Sequence, residues 1–218
     1  MSGFKTHVER LEAFKQVDIY PVISSEFCAG RPVIKVLEQI ALAGAKVVQI
    51  REKNAGKRDL YELVMKCREI TDFYKMLLIV DDQVDVAIAA GADGVHLGQD
   101  DLPLKAARSL DKNLLLGTST HNPEEIQEAI EQGCSYLNIG PIFPTQTKTL
   151  SYHDLGLEAV RNWGGDLPVP FSVMGGIKER HLPELLSAGA RHIAMVTEIT
   201  QADNIAERVR QLRGYWGK

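Results

Sequence analysis

One pattern recurs four times in this chain and limits its architecture more than any composition figure does. A helix-like segment ends at a glycine and a short apolar run follows at once: AGAKVVQI at 43–50, AGADGVHL at 90–97, QGCSYLNI at 132–139 and AGARHIAMV at 188–196. Gly44, Gly91, Gly133 and Gly189 suit the left-handed position that ends a helix, because they carry no Cβ to clash there. The apolar runs after them are short and rich in β-branched residues, as expected of strands covered on both faces.

Further apolar segments predict strands at 19–23, 76–80, 114–118 and 170–174, which brings the number to eight. Helical segments fall between strands, at 32–43, 59–74, 123–131 and 182–187. Parallel strands require crossovers, and strict β–α alternation with short connections provides them. The prediction is an α/β fold, a (β/α)8 TIM barrel formed by residues 1–218 as one domain. A doubly wound open sheet is the competing architecture, but no GxGxxG follows the first strand. Phe4, Val8, Leu11 and Phe14 recur at helical spacing, so an extra helix is expected within 1–17, packed on the barrel where it would close the bottom.

Charge and cysteine usage exclude several functions. The net charge is -4 with no basic stripe, so no nucleic-acid partner is expected. No apolar run approaches the roughly 20 residues of a membrane span, and the polar N-terminal stretch lacks the apolar core of a signal peptide. Cys28, Cys67 and Cys134 are scattered with no CxxC pair, which fits reduced packing thiols in a cytoplasmic protein. Oligomeric state is left open, a homodimer included.

In such a barrel the chemistry collects where strands end and βα loops begin. Gln49, Arg51 and Lys53 alternate, so their side chains point one way, and the two cations suit a phosphate or diphosphate. A solvated strand end would also carry charges. Asp82 and Asp101 end neighbouring strands; two carboxylates plus substrate phosphates are a usual provision for Mg2+. Either Asp100 or Asp101 is also placed to cap a helix starting near Pro103, Asp100 being the better cap and Asp101 the better ligand. His96 and His121 lie near this rim without forming a nitrogen-rich metal set.

The loop after the sixth strand joins Pro141 and Pro144 to Thr145, Thr147 and Lys148. Two hydroxyls and a cation on a stiffened loop fit an anionic group. Gly175–Gly176 allows a backbone to approach a ligand closely, and Thr197 stands at the common phosphate subsite of these barrels.

These motifs resemble the thiamine phosphate synthase family: QIREK at 49–53, GADGVHLGQDD at 91–101, GTSTH at 117–121, GPIFPTQTK at 140–148 and GGI at 175–177. The resemblance spans roughly 19–200. It implies a transferase that condenses 4-amino-2-methyl-5-hydroxymethylpyrimidine diphosphate with 4-methyl-5-(2-phosphoethyl)thiazole, giving thiamine phosphate and pyrophosphate by a dissociative, Mg2+-dependent substitution. It further implies that Gln49, Arg51, Lys53, Asp81, Ser119 and Lys148 bind the pyrimidine diphosphate, with Arg51, Lys53, Ser119 and Lys148 acting in catalysis. Asp82 and Asp101 would hold the metal, and Thr145, Thr147, Gly176, Val196 and Thr197 the thiazole phosphate. Tyr20 is placed either to stack on a heterocycle or to fill the core.

Three positions in two places depart from the family pattern. Asp81–Asp82 stands where many members have Asn-Asp, and Thr197–Glu198 where many have Ser-Ala. A carboxylate beside a bound phosphate would repel it, so Glu198 is expected to point away. Two rival readings share the barrel. A thiazole tautomerase-like isomerase would use His121 for proton transfer but has no need of the cations and carboxylates. A non-catalytic phosphate-ligand sensor would need neither metal nor leaving-group contacts.

Overall fold

The computed structural model describes residues 3–145 and 153–217. Strands β1 (Ile19–Ile23), β2 (Val47–Ile50), β3 (Leu77–Asp81), β4 (Gly94–Leu97), β5 (Leu115–Thr120), β6 (Tyr136–Ile139), β7 (Phe171–Val173) and β8 (His192–Met195) pair in sequence order. All pairings are parallel, and β1 closes on β8 with Tyr20 opposite Ala194. The helices that follow the strands are α2 (Val33–Leu42), α3 (Lys57–Tyr74), α4 (Val84–Ala89), α5 (Leu104–Leu110), α6 (Pro123–Glu131), α7 (Gly156–Trp163), α8 (Leu182–Ser187), α9 (Thr197–Thr200) and α10 (Ile205–Arg213). The chain is a TIM barrel. Among the described residues no helix is long and apolar enough to cross a membrane.

The four repeat glycines all have positive φ, from 65° at Gly91 to 100° at Gly189. Strand edges shift by a residue or two from expectation: β3 extends to Asp81 and β5 to Thr120, so both reach further into the rim.

Alternation along each strand divides the apolar residues into two clusters. Ile19, Val48, Ile50, Leu78, Val80, Leu116 and Leu137 face outward into the layer shared with the helices. Tyr20, Val22, Val47, Leu77, Ile79, Leu115, Tyr136 and Ala194 fill the barrel interior. This periodicity locates the site, because the next inward residue on each strand is the one that meets the rim. Gln49 follows Val47, Asp81 follows Ile79, and Ser119 comes two steps after Leu115.

The N-terminal helix is shorter than 1–17. The helix α1 runs from His7 to Phe14, where Thr6 accepts from the Glu9 N–H and the Glu9 carboxylate accepts from the Thr6 N–H. Phe4 precedes that cap, and Val8 is 68% exposed rather than packed. Phe14 does close the bottom: it stacks on Tyr136 with ring centroids 4.1 Å apart and meets Tyr20 edge-on at 6.0 Å. Arg10 anchors the helix by donating to the Asn113 carbonyl at 2.8 Å, next to the start of β5.

Candidate active site

Inward residues of β2 to β5 and the loops beyond them line a cavity of about 240 Å3, including Gln49, Arg51, Lys53, Asp82, Asp101 and Ser119. Asp81 lies at its centre. Its Oδ1 accepts from Gln49 Nε2 at 2.6 Å, while Oδ2 is 3.5 Å from Arg51 Nε and 3.3 Å from Lys53 Nζ. The additional carboxylate is therefore neutralised by the cations beside it. Lys53 also donates to Asp82. Burial alone would lower the Lys53 pKa, but Asp81 and Asp82 outweigh it and hold the ammonium above its ordinary value.

Asp82 and Asp101 come together as expected. Burial pushes the Asp82 carboxyl up to about 6, helped by the negative Asp81 and by a hydrogen bond with Asp101, and opposed by Lys53. The backbone of Asp82 lies in the left-handed region at φ 58°, which a non-glycine residue seldom adopts, and its N–H donates to the His96 carbonyl at 2.8 Å. Asp101 is fixed by the Gly98 N–H, which donates to Oδ2 at 2.7 Å. Helix capping does not occupy either aspartate: Pro103 holds the cap position of α5 and makes no side-chain cap.

These residues fit Mg2+. Two crowded carboxylates at one edge of the cavity gain from a cation between them, and an oxygen-seeking ion can complete its shell with substrate oxygens and water. Among the described residues no group of three or more His, Cys, Asp or Glu side chains is arranged to hold a metal alone.

A second, smaller pocket opens over β6 to β8, lined by Thr145, Gly175, Gly176, Lys178, Val196 and Thr197. Val196, expected only here, lines both cavities, as does Met174. Gly176 has φ 59°, and a Cβ on it would fall 2.2 Å from the Pro144 carbonyl oxygen. The loops after β6 and β7 are joined backbone to backbone, with Ile142 N–H donating to Met174 O and Phe143 N–H to Gly175 O. Thr147 and Lys148 lie outside the described residues.

Lys178 was not singled out from the sequence, yet its Nζ donates to Thr197 Oγ1 at 3.3 Å and lies 3.2 Å from Glu198 Oε2. The only signal was its place directly after the GGI motif. Glu198 is turned onto Arg208, Lys178 and the Glu179 N–H, contacts that outweigh burial and keep its pKa low. Its charge is therefore compensated by those groups.

Three other residues have structural roles. Tyr20 is core, hydrogen-bonded inside the barrel. Glu52 accepts from the Ser25 N–H and hydroxyl at 2.6 Å each, bracing the loop after β1. His121 is held by Glu125, with Nδ1 2.7 Å from Oε2, and Asn122 caps α6 by accepting from the Glu125 N–H. Burial pushes Cys28, Cys67 and Cys134 up to about 11, 12 and 11, so none is a thiolate near neutral pH.

Known proteins resemble this chain over nearly its whole length. The family model for thiamine monophosphate synthase matches residues 19–199. A thiamine-phosphate synthase of Caldicellulosiruptor saccharolyticus is 40% identical over 205 residues, covering 94% of this chain and 93% of that protein. One from Pelotomaculum thermopropionicum is 43% identical, covering 93% and 94% respectively. Among solved structures, thiamine phosphate pyrophosphorylase from Pyrococcus furiosus aligns with a TM-score of 0.84 at 32% identity, covering 91% of this chain and 95% of its own. By sequence and by fold, the chain belongs to the thiamine monophosphate synthase family of transferases.

Proposed function

We propose that this enzyme binds the hydroxymethylpyrimidine diphosphate over β2 to β5 and the phosphoethyl thiazole over β6 to β8, joining them where the two pockets meet. The observation that carries this reading is the division of one rim into a cavity of cations and carboxylates and a pocket of glycines and hydroxyls, with Met174 and Val196 common to both. A diphosphate suits the first because Arg51 offers a fork of donors and Lys53 a point charge. A monophosphate suits the second, where Gly176 leaves backbone exposed and Thr145, Thr197 and Lys178 offer side-chain donors.

In the reaction the C–O bond between the pyrimidine methylene and the diphosphate breaks, and the electron pair leaves with pyrophosphate. The thiazole ring nitrogen then gives its lone pair to the methylene carbon, forming the C–N bond. Such a substitution needs little general-base chemistry and much stabilisation of the departing charge. Arg51, Lys53 and Ser119, with Lys148 from the loop after β6, are the residues proposed for that task. Asp82 and Asp101 would hold Mg2+, which when bound neutralises diphosphate charge as a Lewis acid. Asp81, lying between two cations, is placed to accept from the pyrimidine amino group and favour positive charge on the ring.

The test mixes purified enzyme, Mg2+ and both substrates and follows pyrophosphate. Release of pyrophosphate with formation of thiamine phosphate, lost when Mg2+ or the pyrimidine diphosphate is omitted, is the expected result. Rearrangement of the thiazole phosphate alone, with no pyrophosphate, would instead favour an isomerase.

A further inference from the structure

Beneath Ser119 the barrel interior carries a continuous polar chain. Ser119 Oγ lies 3.0 Å from Nε2 of His96, His96 Nδ1 lies 3.2 Å from the Tyr136 hydroxyl, and that hydroxyl lies 2.8 Å from the Tyr20 hydroxyl. Both tyrosines and His96 are buried. Gly117 makes room for them, since a Cβ there would fall 2.1 Å from Tyr136 Cζ and 2.6 Å from His96 Nδ1. Phe14 of α1 stacks on Tyr136 from below. The chain thus runs from the plugged bottom of the barrel to the cavity floor.

Burial gives this chain a direction. Each phenol has one proton, and burial holds both phenols above their ordinary range, so both protons stay on. Among the described residues the Tyr20 hydroxyl has one hydrogen-bond partner, Tyr136. A buried O–H needs an acceptor, so Tyr20 donates to Tyr136. Tyr136 must then pass its own proton to His96 Nδ1. An imidazolium, or the Nδ1–H tautomer, would aim a second donor at the Tyr136 oxygen and leave the Tyr136 proton unplaced. A neutral imidazole that accepts at Nδ1 carries its proton on Nε2. That N–H donates to Ser119 Oγ, and the serine's own proton is left to point into the cavity.

We propose that Tyr20, Tyr136 and His96 are positioning residues that lock His96 as the Nε2–H tautomer and thereby aim the Ser119 hydroxyl at an oxygen of the bound diphosphate. The assignment rests on Ser119 being a diphosphate contact, as proposed above. Gln99 supports the same residue from the other side, its amide donating to the Ser119 carbonyl at 2.6 Å.

The tautomer can be read without substrate. In ligand-free enzyme carrying 15N-histidine, long-range proton–nitrogen correlations, with His96 assigned by its loss in His96→Gln, are expected to report Nε2–H. The double variant Tyr20→Phe/Tyr136→Phe removes both phenolic hydroxyls without stranding either, so it should fold, with a melting temperature somewhat below the parent's because His96 Nδ1 loses its donor. It is expected to show mixed His96 tautomers and a kcat lower by about tenfold, with the KM for the thiazole phosphate unmoved. His96→Gln, whose amide can donate from the place of Nε2, should keep more activity than His96→Leu. An Nδ1–H tautomer or an imidazolium in the parent at neutral pH would overturn the proposal. So would parental kcat in the double variant. Because the tautomer is read on free enzyme, an enzyme inactive toward both substrates would refute the synthase reading without being confused with either result.

Discussion

Asp81 restrains the residues proposed to bind a diphosphate, because Gln49, Arg51 and Lys53 all turn toward it. Removing its charge while keeping its shape releases two cations. Asp81→Asn is therefore expected to bind inorganic pyrophosphate about five- to tenfold more tightly, as measured by titration calorimetry, in line with one unit charge at short range in a polar cavity. Unchanged or weaker binding would mean that Arg51 and Lys53 are not the diphosphate contacts. Lys178 gives the complementary prediction. With Nζ beside Thr197 and its charge shared with Glu198, Lys178→Ala should raise the KM for the thiazole phosphate about tenfold, the scale of one charge-assisted contact. The KM for the pyrimidine diphosphate should stay put; equal effects on both would remove Lys178 from the second pocket.

At the scale of elements, the loops after β6 and β7 act as one piece. Gly176→Ala would place a methyl group 2.2 Å from the Pro144 oxygen at a φ of 59°, so backbone must move. The expected result is loss of the thiazole phosphate site with a lowered melting temperature, while pyrophosphate binding on the β2 to β5 side persists. Calorimetry with each ligand separates the two. Much of this arrangement is legible in the sequence. Alternation fixes which residues of a barrel strand face inward, so Gln49, Asp81 and Ser119 could be placed from strand ends alone. Side-chain partnerships were less legible, because they depend on residues brought together from distant strands. Nothing local signals that Lys178 reaches Thr197 or that Tyr136 bridges Tyr20 and His96. Val8 misled for a related reason: helical spacing gives a face, but only the barrel bottom decides how much of it is covered.

The molecule as a whole separates a closed bottom from an open, charged rim. Phe14, Tyr20 and Tyr136 seal one end, and His192 lies against this plug with Nδ1 2.6 Å from the Val17 carbonyl. Burial lowers the His192 pKa from 6.5, outweighing the Val17 carbonyl and Asp18, which act to raise it. The folded state therefore keeps this ring neutral at pH values where the unfolded chain takes up a proton. Its contribution is complete above the ordinary histidine value of about 6.5 and is lost as pH falls below it. Urea unfolding at pH 7.5 and 5.5 should give a larger acid-side loss for the parent than for His192→Asn, which keeps a donor for Val17 but does not titrate; equal losses would contradict this. At the open end, the proposed function requires one rim to hold two anion sites at once. Titrating the thiazole phosphate into enzyme with and without saturating Mg2+ and pyrophosphate tests it most directly. The dissociation constant is expected to change by no more than a few-fold, whereas one that rises in proportion to pyrophosphate would show a single shared site and overturn the division of the rim.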